Sequence, residues 1–297
     1  MANTYVHPWN TASPGCLIFL IDQSGSMHDP FPLDMAGGGR RKSDAAATIF
    51  NSFLNELITI NMTVLADASS EVRRRADICA LGYEGTTVTS ALDGVLANQP
   101  FVTLADLQMS PLSIEMRKRK EMDDTGGFYE VEIPFPVWIK AKAGAGTPMC
   151  AALRCAYDMA SQWAINHPNN YPPVVVNLTD GMATDGDPVL IAQQISQIAT
   201  TDGNALLFNV HISDSKASQV LYPASESDLP PGDRYAAQLF KMSSVIPETS
   251  RASLEQLMGR SVSPGARGMI FNGDASSIRL MFTFASAPAT QPINPNR

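Results

Sequence analysis

The chain is poor in the residues that build most catalytic and cross-linked sites. It has four cysteines, Cys16, Cys79, Cys150 and Cys155, and four histidines, His7, His28, His167 and His211. The cysteines make no CxxC pair and no Cys/His ligand spacing. Each lies in an apolar or alanine-rich stretch and is expected as a buried free thiol. No apolar run approaches the roughly 20 residues of a transmembrane helix. The first residues, MANTYVHPWNTASPGC, lack a basic segment followed by an apolar one. No secretory signal is read there, and a cytoplasmic location is expected. Charged residues are only 17% of the chain, and 29 acids against 21 bases give a formal net charge of −8. That balance argues against a general nucleic-acid binder and against anionic membranes. GxSxG, HExxH and the P-loop pattern are absent, and AGAG at 143–146 does not spell the dinucleotide fingerprint.

What is present suits a large core. Of 297 residues, 44% are hydrophobic, enough for one large α/β domain or two small ones. CLIFLID at 16–22, DICALGY at 77–83, VVVNL at 174–178 and ALLFNVHI at 205–212 read as buried strands. Residues 137–142 and 268–272 are expected as further strands. Ser43 is a candidate N-cap for a helix whose apolar face is Ile49, Phe50, Phe53, Leu54, Leu57 and Ile58. Other helices are expected at 148–166, from Pro188 to about Thr200, at 233–244 and at 251–258. Strands alternating with helices predict a mostly parallel sheet covered on both faces. One domain is expected over 14–285, with loose termini at 1–13 and 286–297. Periodicity fails at 101–136, which reads as a surface insertion with a strand at 128–133. Its RKRK run could be a nucleic-acid or localisation patch, but neighbouring acids favour a solvated charged face.

Three short segments place polar residues at strand ends or helix starts: Asp22-Gln23-Ser24-Gly25-Ser26-Met27, Gly146-Thr147-Pro148 and Thr179-Asp180-Gly181. In an open parallel sheet, ligands bind outside the carboxyl ends of the strands. Asp22, Ser24, Ser26, Thr147 and Asp180 offer two carboxylates and three hydroxyls. Such hard oxygen donors suit Mg²⁺, Mn²⁺ or Ca²⁺ and not Zn²⁺ or Cu²⁺.

DQSGSM, then GTP, then LTDG resembles the von Willebrand factor type A (vWA) domain with its metal-ion-dependent adhesion site (MIDAS). GTPMCAAL, LTDGMATDGDP and ARGMIFNGDAS extend the likeness towards bacterial TerY-like members. The resemblance implies a Rossmann-like three-layer α/β fold. It implies that Ser24 and Ser26 ligate directly beside Asp22, that Thr147 ligates in the high-affinity state, and that Asp180 acts through water. It also implies a non-enzymatic, metal-dependent protein-interaction module in a tellurium-resistance, stress, defence or signalling system. The partner would carry an exposed Asp or Glu and be a kinase, a PP2C-type phosphatase or a MoxR-type AAA+ ATPase. Two other functions remain open: self-assembly, with the acidic stretch Glu121–Asp124 as donor, and a metal-assisted phosphohydrolase, for which no general base stands out.

Some neighbours carry weaker expectations. Asp185 and Asp187 read first as capping and turn residues and second as acceptors for the site. Thr179 either orients Asp180 or only ends its strand. His28 is expected at the surface, and Trp9, Trp138 and Trp163 in or near the core. The 14 methionines are read as gap-fillers, and Gly37-Gly38-Gly39 as a flexible connection.

Overall fold

The continuously apolar runs become the centre of an eight-stranded sheet in the computed structural model, which describes residues 4–31, 40–64, 70–122, 126–212 and 218–290. The chain runs through β1 (Gly15–Asp22), α1 (Lys42–Ile60), β2 (Met62–Val64), β3 (Ser70–Val72), β4 (Ala76–Glu84), β5 (Thr87–Ser90), β6 (Val102–Thr103), α2 (Leu104–Met109), β7 (Ser113–Met122) and β8 (Phe128–Val137). It continues through α3 (Met149–Asn166), β9 (Val174–Thr179), α4 (Val189–Ile195), β10 (Ala199–Thr200), β11 (Gly203–Asn204), β12 (Leu206–Ile212) and β13 (Val220–Leu221). The last elements are α5 (Arg234–Met242), α6 (Glu248–Met258), β14 (Met269–Gly273), α7 (Ala275–Ala285) and α8 (Ala287–Thr290).

The sheet order is β13-β14-β12-β9-β1-β4-β5, with β6 also on β4. Strands β14, β12, β9, β1 and β4 are mutually parallel, while β5, β6 and β13 join antiparallel at the margins. Taken in chain order, β1, β4, β5, β9, β12 and β14 lie as 3-2-1-4-5-6, the Rossmann order. Side chains alternate across the central strand. Leu17, Phe19 and Ile21 join the core under α1, α2 and α7, and Cys16, Ile18 and Leu20 join the core under α3, α4 and α5. The architecture is therefore a Rossmann-like α/β sheet with helices on both faces. Phe19 meets Phe50 of α1 and Phe282 of α7 at 4.9 and 5.2 Å in edge-on geometry. Each such pair adds about 0.5–1.5 kcal/mol beyond its buried area. Among the described residues no helix is long and apolar enough to cross a membrane.

Several expectations need correction. Residues 4–13 are not loose: the Val6 and His7 N–H groups donate to the Asp202 carboxylate at 3.1 and 3.0 Å. Trp9 is buried against Gly15, where a Cβ would overlap the indole. Residues 138–142 are not a strand. The Asn51 side chain on α1 instead takes the N–H groups of Trp138 and Ile139 and donates to the Ile139 carbonyl. One amide thus does the work of a strand neighbour. Ser43 is not the cap of α1; it lies inside the first turn, and Arg41 holds the N-cap position without a side-chain bond. Helix α4 stops at Ile195, and the next residues turn into the β10–β11 pair. Helix α7 went unread, although Asp274 caps it through the Ser277 N–H at 2.8 Å.

The expected insertion divides in two. Val102, Leu104 and Leu107 are buried in the α1-side core, so 101–109 belongs to the body. Strands β7 and β8 form a hairpin of ten paired positions, from Ser113↔Val137 to Met122↔Phe128. Three of the four residues of its RKRK run are answered by carboxylates: Arg117 by Glu115, Lys118 by Glu130 and Arg119 by Glu121. Asp123, Asp124, the glycines at 37–39 and residues 291–297 lie outside the described residues.

Candidate metal centre

In the 3-2-1-4-5-6 order, the connections from β1 and β9 leave in opposite directions. A crevice therefore opens between the carboxyl ends of these two strands. Ile21 pairs with Leu178, so Asp22 and Thr179 emerge side by side. After Asp22 the chain turns sharply at Gly25, where a Cβ would come within 2.9 Å of the Gly144 carbonyl. The 143–146 loop packs there, with the Gly144 N–H donating to Gln23 O at 2.6 Å. Gly146 has φ +69°, and a Cβ would lie 2.8 Å from Gly85 O. That position needs glycine to deliver Thr147 to the crevice.

All five expected site residues come together here. Ser24 N–H donates to Asp22 Oδ1 at 2.8 Å, and the Ser24 and Ser26 hydroxyls are 3.1 Å apart. Ser26 Oγ donates to Asp180 Oδ1 at 2.7 Å. Gly181 lies above two of the hydroxyls: a Cβ there would be 3.8 Å from Ser26 Oγ and 4.0 Å from Thr147 Oγ1. Thr147 is held in turn by Thr184, whose Oγ1 accepts its N–H at 2.9 Å and whose N–H donates to its carbonyl at 3.0 Å. Asp22, Ser24 and Thr147 are buried.

Thr179 does neither of the two things expected of it: it orients Asp22. Its hydroxyl donates to Asp22 Oδ2 at 2.9 Å, accepts the Gly181 N–H at 3.2 Å and lies 3.3 Å from the Tyr235 hydroxyl. Asp185 acts as a cap, but for α3 and not for the helix that follows it. Its two oxygens accept the N–H groups of Cys150 and Ala151 at 3.0 and 2.8 Å. Asp187 accepts the Val189 N–H at the start of α4. The four cysteines carry free thiols, and only Cys155 is partly exposed. His28 is exposed as expected, beside Arg41.

Burial pushes the Asp22 carboxyl up to about 6. The Asp180 charge adds to this, and hydrogen bonds from Ser24 and Thr179 oppose it. A buried carboxylate under this strain gains from a cation placed against it. The donor set of two carboxylates and neutral hydroxyls fits a hard divalent ion. Among the described residues, no group of three or more His, Cys, Asp and Glu side chains converges to hold a metal; hydroxyls supply the remaining donors of this candidate.

Sequence reasoning missed two residues of this neighbourhood. Lys42, in the first turn of α1, sends its ammonium to 3.0 Å from Asp180 Oδ2, with both side chains almost wholly buried. His211, at the end of β12, is stacked 4.4 Å from Phe271, and its Nδ1 faces the Asn272 N–H at 3.3 Å. Burial pushes this imidazole down to about 4. A lysine in a first helical turn, against the macrodipole, was the available signal for Lys42. For His211 it was a polar residue, like Asn209, inside an otherwise apolar strand.

No family model matches the chain, and no curated protein matches it. Among solved structures, the minor pilin PilB of Streptococcus sanguinis is similar over 93% of this chain and 61% of its own, with TM-score 0.39 and 9% identity. An uncharacterized membrane-spanning protein from Vibrio fischeri is similar over 93% of this chain and 98% of its own, with TM-score 0.27 and 13% identity. The chain thus spans about 61% of the pilin chain that it matches. The functional reading rests on this chain's own residues.

Proposed function

We propose that the chain is a vWA-like binding module. In this reading it holds Mg²⁺, or Mn²⁺ or Ca²⁺ in its place, through Asp22, Ser24, Ser26, Thr147 and Asp180. Through that site it binds a carboxylate of a partner protein, and it is not an enzyme. One observation carries the reading: loops around residues 22–26, 147 and 180 bring these oxygen donors together at the switch point between β1 and β9.

A bound divalent ion would supply positive charge with one coordination position open to an outside ligand. Ser24, Ser26 and Thr147 are neutral donors, so they orient without cancelling that charge. Asp22, fixed by Thr179 and the Ser24 N–H, provides the nearest negative charge. Asp180, tied to Ser26, would act through water, as the resemblance implies. A partner carboxylate entering this low-dielectric pocket would be paired strongly, and only while the ion is present. By resemblance, the partner belongs to a bacterial kinase, PP2C-type phosphatase or MoxR-type AAA+ system. For the self-assembly reading, Glu121 is already engaged by Arg119 and Tyr129.

Calorimetric titration with Mg²⁺ tests the site. Wild type is expected to bind and Asp22→Ala to lose binding; equal binding by the two would refute the assignment. An affinity pull-down in Mg²⁺ against EDTA, with Asp22→Ala as control, then tests the partner. Mg²⁺-dependent phosphate release that disappears in Asp180→Ala would favour the hydrolase instead.

A further inference from the structure

Lys42 has an environment that neither helix formation nor core packing explains. An ammonium in the first turn of a helix opposes the macrodipole, and burying it costs several kcal/mol unless it is paired. Among the described residues its one ion-pair partner is Asp180, at 3.0 Å, and the two side chains are 4% and 0% exposed. Asp180 is also held on its other oxygen by Ser26. The lysine therefore reaches the oxygen cluster at Asp180 and does not reach out to solvent.

We propose that Lys42 is a fixed counter-charge that makes metal binding at this site depend on the acidic ligand. The inference rests on the metal-site reading above and adds its regulation. The argument is one of net charge. Asp22 and Asp180 contribute two negative charges and Lys42 one positive, so the pocket carries one negative charge before a divalent ion enters and one positive charge after. Without the lysine the corresponding values would be two negative and zero. Lys42 thus repels the incoming ion and leaves the loaded pocket one charge in excess, which an entering carboxylate neutralises. Each ligand must then tighten the other by the same factor. A site of this kind stays largely empty at low metal concentration until the acidic partner arrives.

The test is Mn²⁺ binding followed by electron paramagnetic resonance at pH 8, with acetate as the carboxylate probe. Wild type, Lys42→Gln, Lys42→Met and Lys42→Arg are compared after far-UV circular dichroism has established which variants fold. In the absence of acetate, either neutral variant is expected to bind Mn²⁺ at least about tenfold more tightly than wild type, the scale of one nearby charge removed from a partly buried site. Lys42→Arg should stay close to wild type. Acetate should tighten Mn²⁺ binding in wild type by a clearly larger factor than in the neutral variants. Equal or weaker Mn²⁺ binding by the neutral variants overturns the inference and leaves the metal site standing. So does a wild type whose Mn²⁺ affinity ignores acetate, an outcome that needs no variant. If neither wild type nor variants bind Mn²⁺, the metal-site reading falls and this inference falls with it.

Discussion

At Thr179 a single hydroxyl touches the Asp22 carboxylate, the Gly181 N–H and the Tyr235 hydroxyl. The residue is fully buried. Valine would fill the same space and leave those groups short of a partner. Thr179→Val is expected to cost about 1–3 kcal/mol, the range for orphaning buried polar groups. Urea unfolding in EDTA measures it, and an unchanged midpoint would show that the hydroxyl is dispensable. The same residue marks where reading from sequence stops. The clustering of Asp22, Ser24 and Ser26 was legible because it follows from a local turn of a few residues. The bond from Thr179 to Asp22 was not, since Asp22 lies 157 positions away in the chain. Lys42 escaped for the same reason, its partner being 138 positions distant.

Helix α3 begins directly after Thr147-Pro148, and its first turn is capped from outside by Asp185. The cap also pins the 181–185 loop beside the site. Asp185→Ala should destabilise the chain by about 1 kcal/mol, as the loss of an N-cap acceptor does. Asp185→Asn should recover part of that loss. Chemical denaturation decides, and wild-type stability in Asp185→Ala would remove the cap from the argument. The β7–β8 hairpin makes the opposite case. Its strands are largely exposed, with Met122 at 66% and Phe128 at 74%, and an isolated two-stranded ribbon adds little stability of its own. Glu115 faces Phe135 across the pair, so an Asn-Gly turn can replace residues 116–134. That shortened chain is expected to keep its unfolding free energy within about 1 kcal/mol. A large loss would mean that the hairpin supports the body. Helix α1 was readable from the spacing of its apolar residues because it buries one face, and strands β1 and β9 from unbroken apolar runs because they bury both. Residues 138–142 misled because Trp138-Ile139 continues the apolar end of β8 while the backbone there bonds to the Asn51 side chain and to Asp93.

Across the whole molecule the net charge of −8 repels an acidic partner at long range. On the proposed reading, the attraction of a partner carboxylate comes from the switch-point crevice and should survive salt better than a surface charge effect. Two buried groups at that crevice also set how the metal-free protein responds to acid. His211 is pushed down to about 4 from 6.5, so between those values the unfolded chain binds more protons there. Its contribution to stability is present above pH 6.5 and is lost as the pH falls towards 4. Asp22 is pushed up to about 6 from 3.8, so over that window the folded chain binds more protons. Its contribution is present below pH 3.8 and is lost as the pH rises through 6. The two effects oppose each other over nearly the same range. Asp22→Asn removes one of them and leaves the other. Between pH 6.5 and 4.5 in EDTA, the variant should therefore lose about 2 kcal/mol more unfolding free energy than wild type. Urea midpoints at the two pH values measure the difference. Parallel pH profiles for the two proteins would mean that Asp22 is ionised in the folded chain throughout this range, and that burial does not hold its proton.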